Sequence, residues 1–199
     1  MSKEIELKFA ATPAQLEMLQ RAYPNYAVTE METTYYDTLD RQLSAQKITL
    51  RRRKENGKSI CTVKTPGKGL ARGEWECQCE DISAALSILC KLGAPEELLR
   101  LPRLAPVCGA RFTRLSQRLP LADGAAELAL DRGVLLGGGR ELPFCEVELE
   151  LKSGTEASLV ALAEAIAAEF SLKGEPRSKF QRASELGSAA SPNCHLSCS

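Results

Sequence analysis

The sequence predicts an α+β chain in which eight antiparallel strands close into a barrel, a tunnel with a charged interior and helices packed outside. Three observations lead there. Strand-like segments recur from one end of the chain to the other, nearly every one carries ionised side chains on a single face, and acids and bases are sorted by strand. Because side chains along a strand alternate faces, "EIELKF" at residues 4–9 sets Glu4, Glu6 and Lys8 on one face and Ile5, Leu7 and Phe9 on the other. "CEVELELKSG" repeats the pattern, with Glu146, Glu148 and Glu150 opposite Val147, Leu149 and Leu151.

The elements follow in order. "TPAQLEMLQRAY" opens with Thr12 as N-cap and Pro13 at the first helical position, then carries Leu16, Leu19 and Ala22 at helical spacing. "AVTEMETTYYDT" is strand-like from its Val, Thr and Tyr content. "KITLRRRKENGKSICTVKTPG" supplies two strands joined at Glu55-Asn56-Gly57, a hairpin signal, with Arg51 and Arg53 on a common face and Lys64 following. "RGEWECQCE" sets Arg72, Glu74, Glu76 and Gln78 against Gly73, Trp75, Cys77 and Cys79. "ISAALSILCKLGAPEELLRL" is helical with a break at Gly93 and Pro95.

Three further strands are expected over roughly residues 106–118, 125–136 and 141–152, and "ELALD" aligns Glu127 with Asp131 on the second of them. Gly137 to Gly139 separate the last two as a hairpin turn; no GK[ST] follows them and no helix starts there, so they do not form a phosphate loop. "TEASLVALAEAIAAEF" is an amphipathic helix and "SKFQRASELG" a short terminal one ending near Gly187. Residues 1–187 are expected to form one domain and 188–199 a disordered tail.

Composition excludes several classes. The 199 residues carry 26 basic and 26 acidic side chains, so no global field favours nucleic acid or an anionic membrane. No stretch approaches the roughly 20 apolar residues of a membrane span, and "MSKEIELK" lacks the apolar core of a signal peptide, so a cytoplasmic protein is expected. The 8 cysteines are scattered without a CxxC pair and read as buried, reduced thiols. His195, the single histidine, lies in the tail beside Cys194 and Cys198, which leaves no histidine base and no histidine-rich zinc site in the folded part.

Charge must therefore act locally. Neighbouring carboxylates on one strand face stand about 7 Å apart and, away from bulk water, repel by about 2 kcal/mol at an effective dielectric near 20. Solvated outer faces of an open sheet would account for one such ladder, but not for two acidic ladders beside basic ones. Closing the strands brings both signs into one interior. Mg²⁺ and Mn²⁺ prefer oxygen ligands, whereas Arg and Lys hold phosphate oxygens, so that interior suits a metal-complexed phosphate chain, a triphosphate above all.

Behind the ExExK motif of Glu4, Glu6 and Lys8 stand "TTYYDT", "LRRRK", "TVKTPG", "RGEWE", "ELALDRG", "CEVELEL" and "SKFQRA", in that order. With these the chain resembles the CYTH domain, or triphosphate tunnel metalloenzyme, over residues 3 to about 186, and within that family the bacterial inorganic triphosphatases. The resemblance implies an eight-stranded tunnel that hydrolyses the terminal phosphate of a triphosphate, inorganic tripolyphosphate first, with Mg²⁺ or Mn²⁺. It implies metal binding by Glu4, Glu6, Asp131, Glu146 and Glu148, with Glu150 extending the row. It implies phosphate binding by Lys8, Arg51, Arg53, Lys64, Arg72, Arg114, Arg118 and Lys179; parity puts Arg114 and Arg118 on one face and Arg111 on the other. Catalytic roles fall to Tyr35, Lys64 and Glu74, with Glu76 as a second-metal ligand or water orienter.

The expected partner is a small triphosphate or polyphosphate, with no nucleic acid and no membrane, and the chain a monomer or homodimer. Competing readings are a class IV-type adenylate cyclase, a thiamine or nucleoside triphosphatase, and a non-catalytic polyphosphate-binding module. Inward carboxylates would repel the ligand of a pure anion binder, which argues against the last.

Overall fold

The computed structural model describes residues 2–67 and 71–188; the tail with Cys194, His195 and Cys198 lies outside them. The chain runs β1 (Ser2–Ala10), α1 (Pro13–Ala22), β2 (Ala27–Thr38), α2 (Gln42–Ala45), β3 (Thr49–Glu55), β4 (Lys58–Thr65), β5 (Ala71–Gln78) and α3 (Ile82–Lys91). A 3₁₀ turn (Glu96–Arg100) then leads to β6 (Leu104–Leu121), β7 (Gly124–Gly137), β8 (Arg140–Ser153), α4 (Glu156–Glu169), β9 (Lys173–Gly174) and α5 (Lys179–Ser188).

Eight strands pair antiparallel in the order β5-β4-β3-β2-β6-β7-β8-β1, and β1 pairs again with β5 to close the barrel. At the β3–β4 turn Asn56 and Gly57 both take positive φ, as the two-residue hairpin demands, and Gly138 and Gly139 do the same between β7 and β8. Thr12 caps α1 with a full capping box: its hydroxyl accepts from the Gln15 N–H, and the Gln15 side chain accepts from the Thr12 N–H.

Alternation sorts the strand side chains as expected. Ile5, Leu128, Leu130, Val147 and Leu149 point outward and pack under α1 and α4, against Leu16, Leu19, Leu159 and Ile166. Leu50, Cys61, Val63 and Trp75 form a second outer core beneath α3 and the 3₁₀ turn, with Ile82, Leu86 and Leu89. Packing the apolar faces outside leaves the ionic faces inside, the arrangement on which the functional reading depends. Among the described residues no helix is long and apolar enough to cross a membrane.

Helices α1, α3 and α4 lie outside the barrel, but α5 does not follow them. It lies across inward-facing residues at one end, where Ala183 packs with Met31, Ala110, Phe112, Leu135 and Phe144. A Cβ on Gly137 would meet the Ala183 carbonyl oxygen at 2.0 Å, so glycine is what lets α5 approach β7.

Two elements were too short for periodicity to reveal. β9 adds two residues to the edge of β1, with Phe9 opposite Gly174. α2 is a single turn organised by the buried Asp37 carboxylate, which accepts from the backbone N–H groups of Thr38, Leu43 and Ser44. The strands expected over 106–118, 125–136 and 141–152 are longer than the sequence suggested, because the pairing ladder carries them past the last alternating residue. The described cysteines are free thiols, but only Cys61 is buried; Cys77, Cys79, Cys90, Cys108 and Cys145 are half-buried.

Gly137→Ala should cost about 1–3 kcal/mol through overpacking, read as a lower urea midpoint, and should free α5 for early tryptic cleavage after Lys179 or Arg182. An unchanged midpoint with α5 still protected would show that α5 is not wedged against β7.

Candidate active site

The barrel encloses a cavity of about 350 Å³ whose lining among the described residues includes eight carboxylates and eight cations. Each basic or acidic row derives from one strand face. β3 contributes Arg51 and Arg53, β4 Lys64, β5 Arg72, Glu74 and Glu76, β6 Arg114, β1 Glu4, Glu6 and Lys8, and β8 Glu148 and Glu150. Tyr35 on β2 joins them.

Ion pairs knit the walls together. The Lys64 ammonium bonds Glu4 and lies 3.5 Å from Glu74. Arg51 lies 3.8 Å from both Glu74 and Glu76, Arg53 pairs with Glu55, and Lys8 sits 3.8 Å from Glu6. Deeper, Arg114 grips Asp131 through two bonds of 2.7 Å and also bonds Glu148. Lys179, from the first turn of α5, reaches Asp131 at 2.8 Å and Glu148 at 2.7 Å and bonds Glu146; Arg182 bonds Glu146 as well. Phe112 and Phe144 back this cluster, with the Lys179 ammonium 5.2 Å and 5.5 Å from their ring centres.

Burial and neighbours set the proton affinities. Burial, together with Glu148 and Glu4 nearby, raises the Glu6 carboxyl above its ordinary value, and burial raises Glu74 against the opposing pull of Lys64. Burial pushes Glu146 up to about 7 in spite of Lys179. Glu148 behaves oppposite: burial alone would raise it, but Lys179 and Arg114 hold it well below the usual carboxylate range. Burial lifts the Tyr35 phenol, so at neutral pH Tyr35 is a hydrogen-bond donor.

The acids fall into two groups. Asp131, Glu146 and Glu148 bring one oxygen each within 4.8 Å of one another; Glu4 and Glu6 lie on β1, with Glu150 opposite Glu6 in register. The donor set fits a hard divalent cation: all the ligand atoms are carboxylate oxygens, and Glu4 Oε2 is buried with no hydrogen-bond partner among the described residues. The buried Nε donors of Arg51 and Arg53 are likewise without partners there, as suits an anion between them.

Most of the residues singled out from the sequence thus converge. Arg118 does not: it is exposed and absent from the cavity lining, although it shares parity with Arg114, because it lies near the end of β6 opposite Glu127. Arg111 faces outward to Glu141, as parity required. Glu55, Lys152 and Arg182 were missed. The first two extend rows already noticed, Glu55 after Arg51 and Arg53, and Lys152 after Glu150, where its ammonium lies 2.8 Å from Glu150 and 3.6 Å from Glu127. Arg182 stands one helical turn beyond Lys179.

Closure and lining together define a class: a small antiparallel barrel with an ionic interior matched to a compact polyanion and a hard cation. Residues 2–184 match the CYTH domain, and the chain belongs to that family. It is 31% identical over 197 residues to an inorganic triphosphatase of Haemophilus influenzae, covering 94% of this chain but 56% of that protein, so it spans little more than half of that relative's length. A Hippeastrum protein described as having a dominant triphosphatase activity shares the fold with TM-score 0.64 at 19% identity, over 94% of this chain and 96% of that one. So does protein PH1819 of Pyrococcus horikoshii OT3, with TM-score 0.63 at 22% identity, over 92% and 99%.

Arg114→Gln should leave Asp131 and Glu148 short of a buried counter-ion and cost about 3–5 kcal/mol. Glu148's lowered affinity for protons contributes stability that is present above its ordinary value of 4.5 and lost as pH falls through the folded value. The gap between wild type and variant should therefore be widest near neutrality and narrow below about pH 4.5, measured as unfolding midpoints from pH 7 to 3. A gap independent of pH would remove this coupling.

Proposed function

We propose that the chain hydrolyses a triphosphate, inorganic tripolyphosphate first, with Mg²⁺ or Mn²⁺, at the barrel cavity. The observation that carries this reading is the interleaving of acids and bases in one enclosed space, which suits a phosphate chain bridged by a cation better than either ligand alone. Membership of the CYTH family and the likeness to the Haemophilus influenzae inorganic triphosphatase support it.

Phosphoryl transfer asks mainly for positioning and charge neutralisation, because charge spreads over the oxygens of the transferred group in a loose transition state. Glu4, Glu6, Asp131, Glu146 and Glu148, with Glu150 adjoining, would hold the divalent cation, which when bound neutralises charge on the phosphate oxygens. Arg51, Arg53, Lys8, Arg72 and Arg114 hold the chain in register. Glu74, with its raised proton affinity, orients the attacking water and accepts its proton. Water oxygen adds to the terminal phosphorus as the bond to the bridging oxygen breaks, giving orthophosphate and pyrophosphate. Lys64 stabilises the charge that builds on the departing oxygen, and Tyr35 donates a hydrogen bond nearby. Lys179 joins the phosphate-binding set by turning from the acids to the substrate. The free thiols agree with a reducing compartment and support a cytoplasmic site of action.

Phosphate release should be measured from tripolyphosphate, ATP and thiamine triphosphate, each with Mg²⁺, Mn²⁺ and a chelator. Turnover of tripolyphosphate that the chelator stops is expected; cyclic AMP formed from ATP would replace this reading with a cyclase. Glu6→Gln should abolish metal-dependent turnover while keeping the fold by circular dichroism, and wild-type kinetics would remove Glu6 from the site. Lys64→Ala should lower kcat by about 10²–10³-fold, the usual cost of one transition-state donor; a change confined to KM would make Lys64 a binding group only.

A further inference from the structure

A second cavity adjoins the first. α5 rests mainly on β6, β7 and β8, and among the described residues the ends of β3 and β4 stand beside it without packing on it. There a second cavity of about 540 Å³ opens between α5, the turn before β3 and the strand ends, and it shares Thr49, Lys64, Arg72, Ser178 and Phe180 with the first. Lys47 and Thr65 extend its wall outward.

Its charges differ from those of the main cavity. Lys8, Arg51, Arg53, Lys64, Arg114, Lys152 and Lys179 each pair with a carboxylate. Among the described residues the side chains of Arg72 and Lys47 have no ion pair and no hydrogen bond, even though Arg72 stands opposite Glu4 in register, because Lys64 takes that carboxylate. Among the described residues two cations without such a partner therefore line this cavity, Arg72 where it meets the first and the exposed Lys47 farther out, together with the hydroxyls of Thr49, Thr65 and Ser178; its one described carboxylate, Glu185, is paired with Arg177 at 3.2 Å. An anion that left the charge-balanced first cavity would meet Arg72, Lys47 and neutral donors here.

We infer that this side opening is a second phosphate site, through which orthophosphate leaves after hydrolysis while pyrophosphate stays on Arg51 and Arg53. The inference rests on the triphosphatase reading for the source of the phosphate, but the site itself does not. Lys64 belongs to both cavities, so the terminal phosphate held there is released beside the opening, and the rest of the chain blocks the path back through the main cavity.

The probe is inorganic phosphate itself, titrated into the full chain by calorimetry, first alone and then with the central cavity saturated by imidotriphosphate and Mg²⁺. Phosphate should still bind in the second case, and Lys47→Gln should weaken it about five- to tenfold, the share of one screened charge, without changing imidotriphosphate affinity. During turnover the same variant should need about five- to tenfold more phosphate for equal product inhibition, with kcat/KM for tripolyphosphate unchanged. Equal phosphate affinity in wild type and Lys47→Gln would overturn the proposal, as would loss of all phosphate binding once imidotriphosphate is bound. A rise in KM for tripolyphosphate or longer chains without relief of product inhibition would assign the opening to the substrate's tail and overturn it too. Failure of tripolyphosphate hydrolysis in the wild type would instead strike the triphosphatase reading, and the phosphate titration would still decide whether the second site exists.

Discussion

Charge balance inside a closed barrel is the constraint on which the rest of this structure depends. A carboxylate removed from water is tolerable only beside a cation or a strong donor, and this barrel brings the acidic faces of β1, β5, β7 and β8 into one interior. β3, β4 and β6 carry their bases to the same space: Arg114 on β6 meets Glu148 two strands away on β8, and the β1–β5 closure brings Lys64 on β4 to Glu4 on β1. Neither ladder could be buried alone. On the function proposed, an interior neutralised in this way by neighbouring strands would admit a cation and a polyanion together, each replacing the partner of the other's ligands.

The same alternation explains how a barrel with a polar interior keeps its stability. Its apolar side chains face outward, and α1, α4 and α3 cover them in two separate cores. Core and site are thus on opposite faces of one sheet, and the stabilising packing makes no demand on the side chains of the cavity. The exception is α5. It brings Ala183 to an apolar end of the interior and Lys179 and Arg182 to the deepest acids, so one short helix both covers part of that end and completes its charge balance.

Family membership accounts for the barrel, while the length of the Haemophilus influenzae relative shows further sequence beyond the matched part in that protein. The chemistry proposed for this chain accordingly rests on its own residues, the interleaved acids and bases of the cavity, with a Glu4 oxygen that has no hydrogen-bond partner among the described residues.

Period-two alternation is a local property, so the sequence by itself determined which strand faces are ionic, which are apolar and where hairpins such as Asn56-Gly57 turn. Placing Arg51, Glu148 and Glu6 in an interior took a further step, the coincidence of two acidic ladders with basic ones and the closing of the strands. Parity does not say how far along the barrel a residue lies, and so Arg118, alike in parity to Arg114, ends exposed at the rim. Nor does it pair one wall with another: the contacts of Lys64 with Glu4, and of Lys179 and Arg182 with Glu146, join residues far apart in the chain and exist only once the sheet has closed and α5 has docked. The entry of α5 and the opening beside it were decided by tertiary packing, because they depend on Gly137 meeting Ala183 at a separation that no local pattern encodes.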